Sequence, residues 1–251
     1  MTEWLEIFTT WQGWAYLFLL TVLEVVLGID NIIFISIVTG RLEPKQRRFS
    51  RNIGLSIALI LRLLLLGLVS FIMHLTDPLF HLFEIAISGQ SIILILGGLF
   101  LIYKSVSEMH ESLQTGEEQA QRENKKSLVS IIFQIILIDL VFSIDSIISA
   151  IGMTNGIEKE LSFNPIAIIV LAILISMVVM LVFAGQIGQF INDHPTIKMI
   201  ALSFLVAIGV LLLAEGIGQE FPKGYIYFAL AYALFVEFLN IRIRKNKETK
   251  N

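Results

Sequence analysis

Seven long apolar runs, parted by short polar or charged stretches, set the rhythm of this chain. They fall at about 14–38, 53–75, 84–103, 128–153, 165–190, 197–214 and 224–240. A hydrocarbon core of ~30 Å needs about 20 helical residues to cross it. The runs meet that length, the last two near its short end. The pattern predicts an all-α polytopic membrane protein of about seven transmembrane helices, with the lipid bilayer as its solvent.

Polar residues that interrupt the apolar pattern are the informative ones. The first run contains Glu24-Val-Val-Leu-Gly-Ile-Asp30-Asn31-Ile-Ile-Phe34, and the fourth contains Asp139-Leu-Val-Phe-Ser-Ile-Asp145-Ser146-Ile-Ile148. Laid over each other, Glu24 matches Asp139, Gly28 matches Ser143, Asp30 matches Asp145 and Asn31 matches Ser146. All four acids bracket the centres of their spans. A carboxylate at that depth costs on the order of 3 kcal/mol, and intramembrane acids mark functional sites by default. The plain alternative is a structural polar network. The acids, Asn31 and Ser146, joined by backbone carbonyls, make an oxygen-only set suited to hard divalent cations such as Mg²⁺, Ca²⁺ and Mn²⁺.

Glu24 and Asp30 lie six residues apart, ~9 Å along an ideal helix and ~240° around it. They cannot both face one ion from an unbroken helix. Discontinuities are therefore expected near 28–31 and 143–146, where Gly28 and Ser143 are the break points and backbone carbonyls become available beside a cavity. Four carboxylates exceed the charge of one divalent ion, so the surplus is expected to be protonated, paired or used in proton exchange. Arg62, amid the leucines of the second run, is the expected ion-pair partner, with a fixed structural pair as the equal alternative.

Charge placement gives the orientation. Arg41, Lys45, Arg47, Arg48 and Arg51 follow span one; Lys104, Arg122, Lys125 and Lys126 follow span three; Lys198 lies between spans five and six. Arg242, Arg244, Lys245, Lys247 and Lys250 crowd the tail, while the opposite loops hold only Lys159 and Lys223. The positive-inside rule puts the N-terminus outside and the C-terminus in the cytoplasm. Spans one and four then run in opposite directions, as in an inverted repeat of spans 1–3 and 4–6 plus one extra helix, with the ion site where the repeats meet. The expected organisation is a single transmembrane domain over 1–251. Repeat one spans about 14–103 and a charged cytoplasmic connector about 104–127. Repeat two spans about 128–214, followed by a seventh helix at about 224–240 and a basic tail at 241–251.

Composition fits this picture. The chain has 251 residues, 56% hydrophobic and 16% charged, against roughly a quarter charged in soluble domains, and its mean hydropathy is +0.81. Cysteine is absent, which excludes disulfides, thiolate metal sites and cysteine nucleophiles. Met1 to Gln12 carry no Lys or Arg, so the first run is expected to be a permanent span rather than a signal peptide. His74, His81, His110 and His194 are scattered near loops, which argues against haem or zinc and for no prosthetic cofactor. Glu84, Glu215 and Glu237 lie nearer span ends and are expected at the membrane interface rather than as ligands, with Glu215 the best outside candidate for a supporting role. Ser88-Gly89, Gly97-Gly98, Gly185 and Gly188 are expected to permit close helix packing. Glu108, His110 and Glu111 form a weaker regulatory-metal candidate in the connector. No nucleic-acid partner is expected, and the pattern does not address oligomeric state.

The two acidic stretches, together with His194-Pro-Thr-Ile-Lys198-Met, Leu213-Ala-Glu215-Gly and Pro222-Lys-Gly-Tyr-Ile-Tyr-Phe228, resemble the TerC family of bacterial membrane proteins. The resemblance covers nearly the whole chain and is nearest the short members without C-terminal cytoplasmic domains. That family is named for tellurite resistance and belongs to the LysE-like exporter group, several members being implicated in manganese efflux. The resemblance implies Mn²⁺ as the transported ion, a bacterial inner-membrane location, and Glu24, Asp30, Asp139 and Asp145 as the motif acids beside Asn31 and Ser146. The leading expectation is a divalent cation exporter, not an enzyme, working by alternating access with inward proton movement. Metal delivery to exported enzymes, or tellurite or metal stress resistance without transport, is the second. An intramembrane aspartyl protease is a minor third, since Gly28-Ile-Asp30 lacks a Gly-x-Gly-Asp pattern.

Overall fold

The computed structural model describes residues 9–40, 42, 44–68, 74–82, 85–113, 128–161, 166–219 and 221–248. Its helices are α1 (Trp11–Leu27), α2 (Ile29–Thr39), α3 (Pro44–Gly67), α4 (Gly89–Leu113), α5 (Leu128–Leu161), α6 (Ile166–Asp193), α7 (Pro195–Gly216) and α8 (Gly224–Glu248). A short hairpin, β1 (Pro78–Leu82) and β2 (Ile85–Ser88), precedes α4. Taking α1 and α2 together, seven helices among the described residues are long and apolar enough to cross a membrane, as the hydropathy pattern predicts. The chain is an all-α polytopic membrane protein.

Several boundaries differ from expectation, and the seventh helix runs on from 240 to Glu248, through most of the stretch expected as a basic tail. The second span, expected at 53–75, is described over Lys45–Gly67 and starts earlier than expected; residues 69–73 lie outside the described residues. Its first turns carry Lys45, Arg47, Arg48 and Arg51, which read as loop but are compatible with helix because long basic side chains reach water from a helix end. The third span starts at Gly89, not 84, because Ile85–Ser88 pairs antiparallel with β1. Ser88 ends that strand and caps the helix, its Oγ accepting from Ser91 N–H at 3.1 Å. The helix then continues through residues 104–113, ten positions assigned to the connector, and Lys104 and Glu108 pair along it at 3.1 Å. The rest of the connector and Glu84 lie outside the described residues.

Contacts divide the chain into two compact units. One comprises residues 1–77 and 126–188, with α1, α2, α3, α5 and most of α6. Its aliphatic core includes Leu17, Leu20, Leu66, Ile147, Ile168 and Ile173. α5 packs on α3 and on α2 within this unit.

The other unit comprises residues 78–125 and 189–251. α4 and α7 pack along their lengths, brought close by Gly98 and Gly209: a Cβ at Gly98 would lie 2.6 Å from the Gly209 carbonyl. α7 ends in a Schellman cap. Gly218 adopts φ 80°, a left-handed conformation suited to glycine, while Gln219 N–H donates to Ala214 O at 2.9 Å and Gly218 N–H to Glu215 O at 3.0 Å.

Candidate functional site

The polar residues of α1, α2, α3 and α5 gather inside the first unit. Arg62 is 2% exposed, the largest fully buried side chain described. It donates from Nη1 to Glu24 Oε2 at 2.8 Å, from Nη2 to Asp139 Oδ1 at 3.3 Å and from Nε to Ser143 Oγ at 3.1 Å. Ser143 Oγ donates to Asp139 Oδ2 at 3.2 Å, and Asn31 Nδ2 donates to Asp139 Oδ1 at 2.9 Å. Glu24, Asn31, Asp139 and Ser143 are all buried. One guanidinium thus bridges carboxylates from two spans. A planar fork with several donors suits this, where a lysine ammonium would serve as a single point charge.

Helical geometry explains which motif residues meet. Positions +4 and +7 from a given residue lie within roughly 40° of it around a helix, whereas +6 points well away. Glu24, Gly28 and Asn31 therefore share one face of span one, and Asp139, Ser143 and Ser146 share one face of span four. Those faces carry the bridging hydrogen bonds. Asp30 and Asp145 lie at +6; Asp30 is buried and Asp145 half-buried. Ser146 turns back on its own helix, donating to the Ser143 carbonyl at 3.3 Å.

The expected discontinuities are realised unequally. Gly28 separates α1 from α2 with φ −92° and ψ −3°. Even so, Gly28 N–H donates to Glu24 O at 2.9 Å and Ile32 N–H to Gly28 O at 3.1 Å, so this joint frees neither carbonyl. The expected break at 143–146 is absent, because α5 runs unbroken from Leu128 to Leu161. A serine can stay helical while its hydroxyl works elsewhere, and Ser143 spends its hydroxyl on Arg62 and Asp139.

The other candidates lie apart from this cluster. Glu215 belongs to the second unit, where Oε1 sits 3.3 Å from Lys223 Nζ at the end of α7. Glu237, expected at the interface, is buried, accepting from Thr196 Oγ1 and, at 3.3 Å, from Asn240 Nδ2. Among the described residues no three His, Cys, Asp or Glu side chains converge as a metal site, and this holds for Glu108, His110 and Glu111 too. The cluster is a different kind of donor set: two carboxylates, an amide and a hydroxyl around a cation. Within it Glu24 Oε1 and Asn31 Oδ1, both buried acceptors, make no hydrogen bond among the described residues. Such spare buried acceptors are uncommon and call for a ligand, water or ion.

Two close approaches have partners that the sequence did not signal, although Gly188 was itself expected to permit close packing. Met180 of α6 packs on Gly28: a Cβ there would lie 2.5 Å from Met180 Sδ. Gly188 of α6 packs on Ser36 of α2, whose Oγ would be 2.9 Å from a Cβ at 188. A methionine or glycine inside an apolar run gives no indication of which helix it meets.

Residues 9–251 match the model of the integral membrane protein TerC family. A UPF0053 protein of Haemophilus influenzae is 45% identical over 235 residues, covering 93% of this chain and 95% of its own length. The UPF0053 inner membrane protein YgdQ of Escherichia coli K12 is 44% identical over 236 residues, covering 94% and 95%. The longer UPF0053 inner membrane protein YoaE of the same strain is 41% identical over 234 residues, 93% of this chain but 43% of that one. No solved structure matches the chain. With these relatives and seven spans, it is a multi-pass inner-membrane protein.

Proposed function

The chain belongs to the TerC family of integral membrane proteins, and from that premise we propose that it exports a divalent metal cation through the Glu24–Asp139 cluster. The observation that carries this reading is the buried Arg62 guanidinium held between Glu24 and Asp139 in the middle of transmembrane helices. A cation already sits between two spans there. With Arg62 displaced, the two carboxylates match the charge of one divalent ion, and Asn31 and Ser143 supply neutral oxygens. Arg62 then acts as an internal competitor that holds the carboxylates together when no metal does.

Hard oxygen donors suit Mn²⁺, Ca²⁺ and Mg²⁺ alike; the family resemblance favours Mn²⁺. Asp30 and Asp145 supply the surplus charge, carried as protons, through which inward proton movement would drive export. The division of spans supports an inverted repeat: one unit takes spans one, two, four and five, and the other takes three, six and seven. Equivalent members of each half thus share a unit. In this reading the N-terminus lies outside and the tail in the cytoplasm.

Flux of Mn²⁺, Ca²⁺ and Mg²⁺ into proteoliposomes, with and without a pH gradient, tests the proposal. Mn²⁺ flux by the unaltered chain, abolished in Glu24→Gln and Asp139→Asn, is expected. Folded protein that carries none of these ions would favour a role in metal delivery or stress resistance. Flux indifferent to pH would remove the proton.

A further inference from the structure

Gly28 leaves a gap in the polar face of span one, and a sulfur atom fills it. Glu24, Gly28 and Asn31 follow one another along that face, and the side chains at 24 and 31 reach the Arg62–Asp139 cluster. A side chain at 28 would point the same way. Its Cβ would meet Met180 Sδ at 2.5 Å and Cε at 3.3 Å, so the thioether occupies that place between the Glu24 and Asn31 levels. Met180 is 1% exposed. The same face holds the spare acceptors Glu24 Oε1 and Asn31 Oδ1. On span four the equivalent of Gly28 is Ser143, which fills its own place with a hydroxyl.

We propose that Met180 is a specificity-determining residue whose thioether joins Glu24 and Asn31 as a soft donor, biasing the site toward transition-series divalent cations over Ca²⁺ and Mg²⁺. This rests on the transport reading above. The chemistry is general: carboxylate and amide oxygens hold all these ions, whereas a thioether adds affinity only for the more polarisable ones. Gly28 is then required for more than its backbone. Any side chain there would push the sulfur off the face.

The full chain has no cysteine, so any sulfur found on a bound metal must come from methionine. X-ray absorption of purified protein loaded with Cd²⁺, a soft probe ion, should show a sulfur neighbour that disappears in Met180→Leu. In proteoliposomes, Met180→Leu should lose part of its preference for Mn²⁺ over Ca²⁺, and competition by Cd²⁺ should weaken by about tenfold relative to Ca²⁺. Gly28→Ala, with Met180 intact, should shift preference the same way. An oxygen-only shell around Cd²⁺ in the unaltered protein would overturn the inference, whether or not the variants fold. So would an unchanged ion preference in Met180→Leu. Mn²⁺ flux surviving those results would leave the transport reading standing, whereas absence of both binding and flux in the unaltered chain would overturn both.

Discussion

Glu24 to Asn31 and Asp139 to Ser146 carry the same order of polar residues, yet their helices treat them differently. Span one pauses at Gly28, keeps its backbone hydrogen bonds and admits Met180 from α6. Span four runs straight, and Ser143 ties Arg62 to Asp139 with its hydroxyl. Asn31 reaches across to Asp139, whereas its counterpart Ser146 bonds its own backbone. Equivalent positions in a repeated motif thus do unequal work. Span four supplies the better-satisfied carboxylate, and span one supplies the acceptors left over.

That asymmetry can be broken residue by residue. The largest effect is expected at the group both stretches share. Arg62→Gln leaves buried carboxylates without their counter-charge and should cost on the order of 3–5 kcal/mol, read from unfolding in detergent. Asn31→Ala removes a hydrogen bond to a charged group and should cost about 1.5–3 kcal/mol. Ser143→Ala loses a hydroxyl bonded to both Arg62 and Asp139, and about 1–2 kcal/mol is expected. Ser146→Ala, the counterpart of Asn31, loses only a long bond to its own helix and should cost less than about 1 kcal/mol. Equal losses for Asn31→Ala and Ser146→Ala in the same unfolding series would contradict the asymmetry.

Much of this was legible in the sequence, for identifiable reasons. Charges inside apolar runs are conspicuous because lipid makes them costly, so Glu24, Asp30, Asp139, Asp145 and Arg62 could be picked out, but which acids Arg62 meets was not legible. Span number followed from apolar length. The start of α3 was hidden because Arg47, Arg48 and Arg51 look like loop although a helix end tolerates them. The hairpin at 78–88 was hidden because Ile85–Ser88 extends an apolar run without declaring its pairing. Ser143 read as a break point because it aligns with Gly28, yet a serine hydroxyl can serve the site from an intact helix. Met180 was beyond reach, since its meaning depends on which helix faces Gly28.

The most direct test of the central claim, that a divalent cation and Arg62 compete for Glu24 and Asp139, is the thermal unfolding of purified Arg62→Gln protein with and without Mn²⁺. If the metal takes the place of the guanidinium, Mn²⁺ should restore much of the lost stability and raise the unfolding temperature of this variant far more than that of the unaltered chain. An Arg62→Gln protein that binds no Mn²⁺, or gains no more from it than the unaltered chain does, would contradict the account.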